Sequence, residues 1–203
     1  MQNNAASILN NVFEREGFHA FDVKLVEKPK KINNDVKDFW GGYELEFKRI
    51  GLEQKQQFDN IEAMRRNAIA LHEDNSTKFT VDISRYEHIG NAQTREIDGV
   101  MVQVYSPEML AIEKLRALCQ QTVGYKAIIG SMTPKSRARD FYDIYNILQS
   151  FPGIDVTSPE NVELTRLIFD AKRVPLAFVS HLPDTREHHR LSWEAVKQTI
   201  AQD

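Results

Sequence analysis

In the stretch RARDFYDIY, Arg137 to Tyr145, Asp140 and Asp143 stand three apart and Arg139 stands four before Asp143. On a helix this spacing puts both carboxylates on one face and sets Arg139 to pair with Asp143. Two such acids can orient a lysine, a metal-bound water or a nucleotide hydroxyl; the plainer alternative is an ion-paired helix surface. Phe141, Ile144, Tyr145 and Leu148 fall on the complementary spacing and are expected to face a core. Upstream, in EKLRA, Lys114 and Ala117 are three apart. A lysine beside a small residue has room for a ligand and binds phosphate as a point charge. Here the alternative is a solvated face with snorkelling cations.

Other acids sit on strands. Asp82 interrupts the apolar alternation of FTVDIS, where it is a candidate ligand for a divalent metal or a strand-edge residue facing water. Glu44 and Glu46 lie two apart on one strand, so both point the same way, as a Mg²⁺ feature or as the wet face of a half-exposed strand. HLPDTREHH brings His181, Asp184, His188 and His189 close in sequence. Their spacing matches no zinc motif, and the segment reads as a solvated loop. Cys119 falls on the apolar side of its helix and reads as core. No phosphate-cradling glycine loop, GxSxG elbow or Cys-His arrangement is present.

The elements that must position these residues follow from periodicity. A helix over residues 4–16 ends at Gly17, with Ile8, Leu9, Val12 and Phe13 at helical spacing. FDVKLVEKP and YELEFKRI alternate as neighbouring strands, joined by a polar, basic loop that ends in Gly41-Gly42. A charged helix is expected over about Leu52–His72, then strands at KFTVDIS and GVMVQVYS, with REIDG as the turn-bearing approach to the second. Ser106-Pro107-Glu108 opens a helix, serine as N-cap and proline in the first turn. Further helices are expected over about Ser136–Leu148, over TSPENVELTRLIFDAKR, and over SWEAVKQTIAQ with Ser192 as its cap. The order is α+β: a sheet lobe over residues 1–105 and a helical lobe over 106–203.

Bulk properties exclude some classes. The 203 residues are 41% hydrophobic and 27% charged with net charge −3, which is ordinary for a globular protein and gives no general attraction to nucleic acid or anionic membrane. One cysteine excludes an internal disulfide framework and suits a reducing cytoplasm. No apolar run is long enough to span a bilayer, and the N-terminus lacks the pattern of a signal peptide.

Taken together, YSPEMLAIEKLRALCQQ and RARDFYDIYNIL resemble the C-terminal signature of the AbiEii/AbiGii toxin family, with WGGYELEFK and KFTVDISRYE extending the resemblance over about residues 35–150. These are nucleotidyltransferase-like proteins of bacterial type IV toxin–antitoxin and abortive-infection systems. The resemblance implies a nucleotidyltransferase-like mixed sheet lobe followed by a helical lobe. It implies transfer of a nucleotide from an NTP, with Mg²⁺, to an acceptor such as tRNA or another RNA, and an antitoxin protein as partner. The family's K-x-x-A element falls on Lys114 and Ala117, its D-x-x-D element on Asp140 and Asp143, and its hairpin carboxylate on Asp82. This gives Asp82, Lys114, Asp140 and Asp143 as catalytic candidates and Asp82 as the metal ligand. Arg137 and Arg139 join Lys114 and Ala117 as nucleotide-binding candidates. The family's first motif, a Gly-Gly or Gly-Ser turn followed by a D-x-D strand, has only a compositional imitation in Gly41-Gly42 with Glu44 and Glu46. The alternative to an enzyme is therefore an inactive nucleotide- or protein-binding module, and a further one is a purely structural ion-pair network around Lys114.

Overall fold

The computed structural model describes residues 2–71, 75–97 and 99–200. The chain divides into two units, Met1–Arg85 and Tyr86–Asp203. Both units mix helices with antiparallel strands, an α+β fold. The second unit takes in the last two strands as well as the helices that follow them.

In the first unit, α1 (Gln2–Phe13) continues as a 3-10 turn, Glu14–Glu16, and stops at Gly17 with φ +79°. Strands β1 (Phe18–Lys28), β2 (Gly42–Gly51) and β3 (Phe79–Ser84) form an antiparallel sheet in the order β1-β2-β3. Asn10 fastens α1 to β1: its amide donates to the Ala20 carbonyl at 3.1 Å and accepts from the Ala20 N–H at 2.8 Å. Phe47 is the centre of the core, 5.5 Å from the Phe13 ring and stacked on Phe79 at 5.0 Å. Ile8 and Val12, expected on the inner stripe of α1, are exposed. Gly42 has a packing reason: a Cβ there would lie 2.3 Å from the Ile83 carbonyl oxygen on β3.

The long charged helix expected over Leu52–His72 is instead two short ones, α2 (Leu52–Lys55) and α3 (Ile61–Arg66). The cause is Asn60, whose side chain accepts the Ala63 N–H at 2.9 Å and so starts a new helix. The expected end at His72 lies outside the described residues. Arg65 on α3 forks onto Asp22 of β1 with bonds of 3.0 and 2.9 Å. Asp22 sits at a register shift in β1 with φ +52°, a conformation asparagine also tolerates. The hydrogen bonds from Arg65 hold the Asp22 carboxyl below the usual carboxylate range. A depressed carboxyl stabilises the fold above its unfolded pKa and loses that contribution as pH falls through its folded value. Asp22→Asn, which keeps the backbone preference, is expected to cost about 1–2 kcal/mol at neutral pH. The cost should fade below about pH 4, as urea melts across that range would show.

The second unit begins with a hairpin, β4 (Gln93–Ile97) and β5 (Val100–Val104). REIDG is thus largely a strand rather than a turn, and Asp98 lies outside the described residues. Helices α4 (Pro107–Cys119), α5 (Ala138–Ser150), α6 (Pro159–Asp170), α7 (Arg186–Arg190) and α8 (Trp193–Ile200) follow. The Ser106 and Ser158 caps behave as their sequences predict: each hydroxyl accepts an N–H, from Met109 and Asn161 respectively, at 3.2 Å. The core gathers around α4 and α6, with Met109, Leu118, Cys119, Tyr125, Ile168 and Phe169 fully buried. HLPDTREHH is no solvated loop. It closes a 3-10 stretch, Leu176–Thr185, and forms α7, with His189 buried. The expected end of the last helix beyond Ile200 lies outside the described residues. Among the described residues no helix is long and apolar enough to cross a membrane.

Candidate nucleotide site

Two helices set the site. The buried apolar residues of α4 hold Lys114 half-buried toward α5. The first turn of α5 is capped from a distance: the Ala138 N–H donates to the Ser192 hydroxyl at 3.1 Å and the Arg137 N–H to His189 Nδ1 at 3.0 Å. Ser192, expected to cap its own helix, thus lends its hydroxyl to α5. The arrangement satisfies donors that a helix start otherwise leaves open. Asp140 in that turn gains further from the positive end of the helix.

The sequence-predicted residues of this unit come together. Lys114 Nζ donates to Asp143 Oδ2 at 2.6 Å and to Asp140 Oδ1 at 3.4 Å. Arg139 Nε donates to Asp143 Oδ1 at 2.9 Å, and Arg137 Nε closes on Asp140 Oδ2. Ala117 stands one turn along α4 from Lys114. Burial alone would raise the Asp143 carboxyl, but hydrogen bonds from Lys114 and Arg139 hold it below its ordinary value. Three cations face two carboxylates, so the cluster keeps one formal positive charge. The ammonium has three N–H groups, and two of them are engaged by aspartates. Among the described residues the third has no partner, which leaves it for an anionic ligand, and the two arginines supply further donors.

The apolar reading of RARDFYDIY needs correction. Ile144 and Leu148 are half-buried, but Phe141 is 40% and Tyr145 60% exposed. Both rings lie on the face of α5 turned away from Lys114.

Asp82 belongs to the first unit. It is exposed on β3 and pairs across the ladder with Glu44 of β2. Directly opposed residues share a face of the sheet, so Asp82, Glu44 and Glu46 form an acidic strip. Lys28 is paired with Glu44, and Lys78 with Glu46 at 2.8 Å. The Lys78 hydrogen bond lowers the Glu46 carboxyl. Asp82 makes no ion pair among the described residues. Also among them, no three His, Cys, Asp or Glu side chains gather to hold a metal. The strip fits Mg²⁺ only in the mode in which one or two carboxylates share the ion with water and substrate phosphates.

Behind Lys114, α4 carries a network that sequence reading missed. In EKLR, the expected solvated face, Glu113 and Arg116 are buried, 8% and 7% exposed. Arg116 donates to Glu113 Oε2 from Nε at 2.8 Å and from Nη2 at 2.5 Å, and to Gln120 at 2.8 Å. Glu87 lies 3.6 Å from Arg116 and 3.1 Å from the ammonium of buried Lys172. Gln120 donates to the Tyr125 hydroxyl, which donates to the Lys172 carbonyl at 2.7 Å. Burial pushes the Glu113 carboxyl up to about 7 and the Cys119 thiol up to about 12. The thiol is core, as expected. Only the i,i+3 spacing of Glu113 and Arg116 hinted at the pair, because Glu87 and Lys172 are remote in sequence.

A family model, the nucleotidyl transferase AbiEii toxin of type IV toxin–antitoxin systems, matches residues 21–203. The match runs beyond residue 150, where the motif resemblance ended, through the helical tail. No curated protein matches the chain, and no solved structure does. With nearly its whole length matched, and with the lysine and aspartates of its two helical motifs in mutual contact, the chain belongs to the AbiEii nucleotidyl transferase toxin family.

Proposed function

We propose that the protein transfers a nucleotide from an NTP to an RNA acceptor, with Lys114, Arg137 and Arg139 receiving the triphosphate. The observation that carries this reading is the fixed Lys114 ammonium, clamped by Asp140 and Asp143 yet with an N–H to spare. A point charge held in place lowers the energy of charge developing on phosphate without reorganising during the reaction. The acceptor hydroxyl oxygen would bond to the α-phosphorus as the bond to the bridging oxygen breaks and pyrophosphate leaves, the hydroxyl proton passing to solvent. Asp140 and Asp143 would keep the lysine in place, and Ala117 would leave space beside it. Asp82 is the residue proposed to hold Mg²⁺, which would supply charge neutralisation.

The test is incubation of the protein with labelled NTPs, Mg²⁺ and total tRNA. Label should pass to RNA, and Asp82→Asn and Lys114→Met should each reduce transfer about a hundredfold or more. Wild-type protein that transfers no label to any acceptor sinks the enzyme reading. A binding module is the second reading, favoured by the engagement of both aspartates with cations, which leaves neither as a ready base. Saturable NTP binding without transfer would select it.

A further inference from the structure

The face of α5 opposite Lys114 borders a groove of about 690 Å³, a volume in the range of ligand sites. Phe141, Leu182, Arg186, His189, Arg190 and Trp193 line it. The lining contains two arginines and no carboxylate, in a chain whose net charge is −3. Arg186 and Arg190 are four apart on α7 and share its exposed face. Among the described residues Arg186 makes no ion pair, and Arg190 meets only exposed Glu187, at 3.6 Å. Two rings of the lining stand open to solvent beside these cations, Phe141 at 40% and Trp193 at 36% exposure, and Tyr145, one turn along α5 from Phe141, is 60% exposed.

His189 adds a polar wall. It is 2% exposed, and burial, together with His188 and Arg137, lowers its pKa and keeps it neutral. Because Nδ1 accepts the Arg137 N–H, the proton of the neutral ring is on Nε2, a donor without a hydrogen-bond partner among the described residues.

We propose that this groove binds single-stranded RNA, bases against the open rings and phosphates against Arg186 and Arg190. Rings interleaved with cations are a stacking platform for successive bases, and the absence of acid from the lining is complementary to a phosphate backbone. The proposal rests on the reading of Lys114 as the nucleotide site. One helix, about 10–12 Å across with its side chains, carries both features on opposite faces, so a strand in the groove need only round α5 to present its end to the nucleotide. An acidic amphipathic peptide would also satisfy the arginines, but aromatic faces beside cations favour stacked bases.

Fluorescence anisotropy with a fluorescein-labelled single-stranded RNA oligonucleotide tests the proposal in the full chain. Arg186→Ala with Arg190→Ala should weaken binding roughly tenfold at low salt and make the salt dependence shallower, by about 0.7 per cation in the log–log slope. Phe141→Ala should weaken it roughly tenfold as well. Absence of RNA binding by the wild type overturns the proposal, as does RNA affinity indifferent to the arginine pair. Binding of an alternating Leu/Glu peptide in place of RNA overturns it too. The label-transfer assay separates the two readings. RNA binding that needs the arginines, without transfer, keeps the groove and removes the enzyme. Transfer that needs Lys114 but not Arg186 and Arg190 keeps the enzyme and removes the groove.

Discussion

Arg116→Ala is expected to destabilise the second unit by about 3–5 kcal/mol at pH 8, the largest stability effect of any single change discussed. The guanidinium is 7% exposed and is the only cation hydrogen-bonded to Glu113 among the described residues. Without it, a buried carboxylate with one oxygen already lacking a hydrogen-bond partner among the described residues keeps only Lys172, which is itself paired with Glu87. The same substitution should cost less at pH 5, where Glu113, already raised to about 7, is protonated. The wild type has a matching signature. A carboxyl whose folded pKa lies above its unfolded value of about 4.3 contributes stability below that value and loses it as pH rises through about 7. Glu113→Gln should therefore flatten stability between those limits, the opposite sign to the acid-side loss expected at Asp22 and Asp143. Urea midpoints for the wild type and both variants across this pH range decide the matter; an Arg116→Ala cost independent of pH would show that packing, not charge, holds the network.

Lys114→Met is expected to have the largest functional effect. Methionine keeps the length and most of the volume of the stem but removes the ammonium, so NTP affinity should fall at least tenfold and transfer about a hundredfold. The fold should lose only about 1–2 kcal/mol, because Asp140 keeps Arg137 and Asp143 keeps Arg139. Equilibrium binding of a labelled NTP, alongside a thermal melt, separates the two effects. A variant that binds and transfers like the wild type but melts lower would mean the cluster is structural.

What could be read from sequence were local rules with a physical cause. Ser106-Pro107 and Ser158-Pro159 mark helix starts because each serine hydroxyl reaches an N–H three residues on. The Arg139–Asp143 pair and the common face of Asp140 and Asp143 follow from helical pitch. That Lys114 meets both aspartates needed the family resemblance, since helix pairing is not written in either helix. Spacing alone misled where tertiary packing decides. Phe141 and Tyr145 look like core residues, yet α5 turns them outward while Ile144 goes in. Glu113 and Arg116 look like surface, yet Glu87 and Lys172 arrive from far along the chain to make burial tolerable. The helix expected from residue 52 ignored Asn60, whose side chain offers the backbone a fresh start.

The remote capping of α5 ties the site to the order of synthesis. The first turn of that helix, which holds Asp140, gains its partners for Arg137 and Ala138 only when His189 and Ser192 have left the ribosome. A nascent chain that has already made Lys114, Asp140 and Asp143 still has an unanchored turn. A polypeptide that ends before residue 189 would hold every motif residue and yet lack both remote caps of the α5 start.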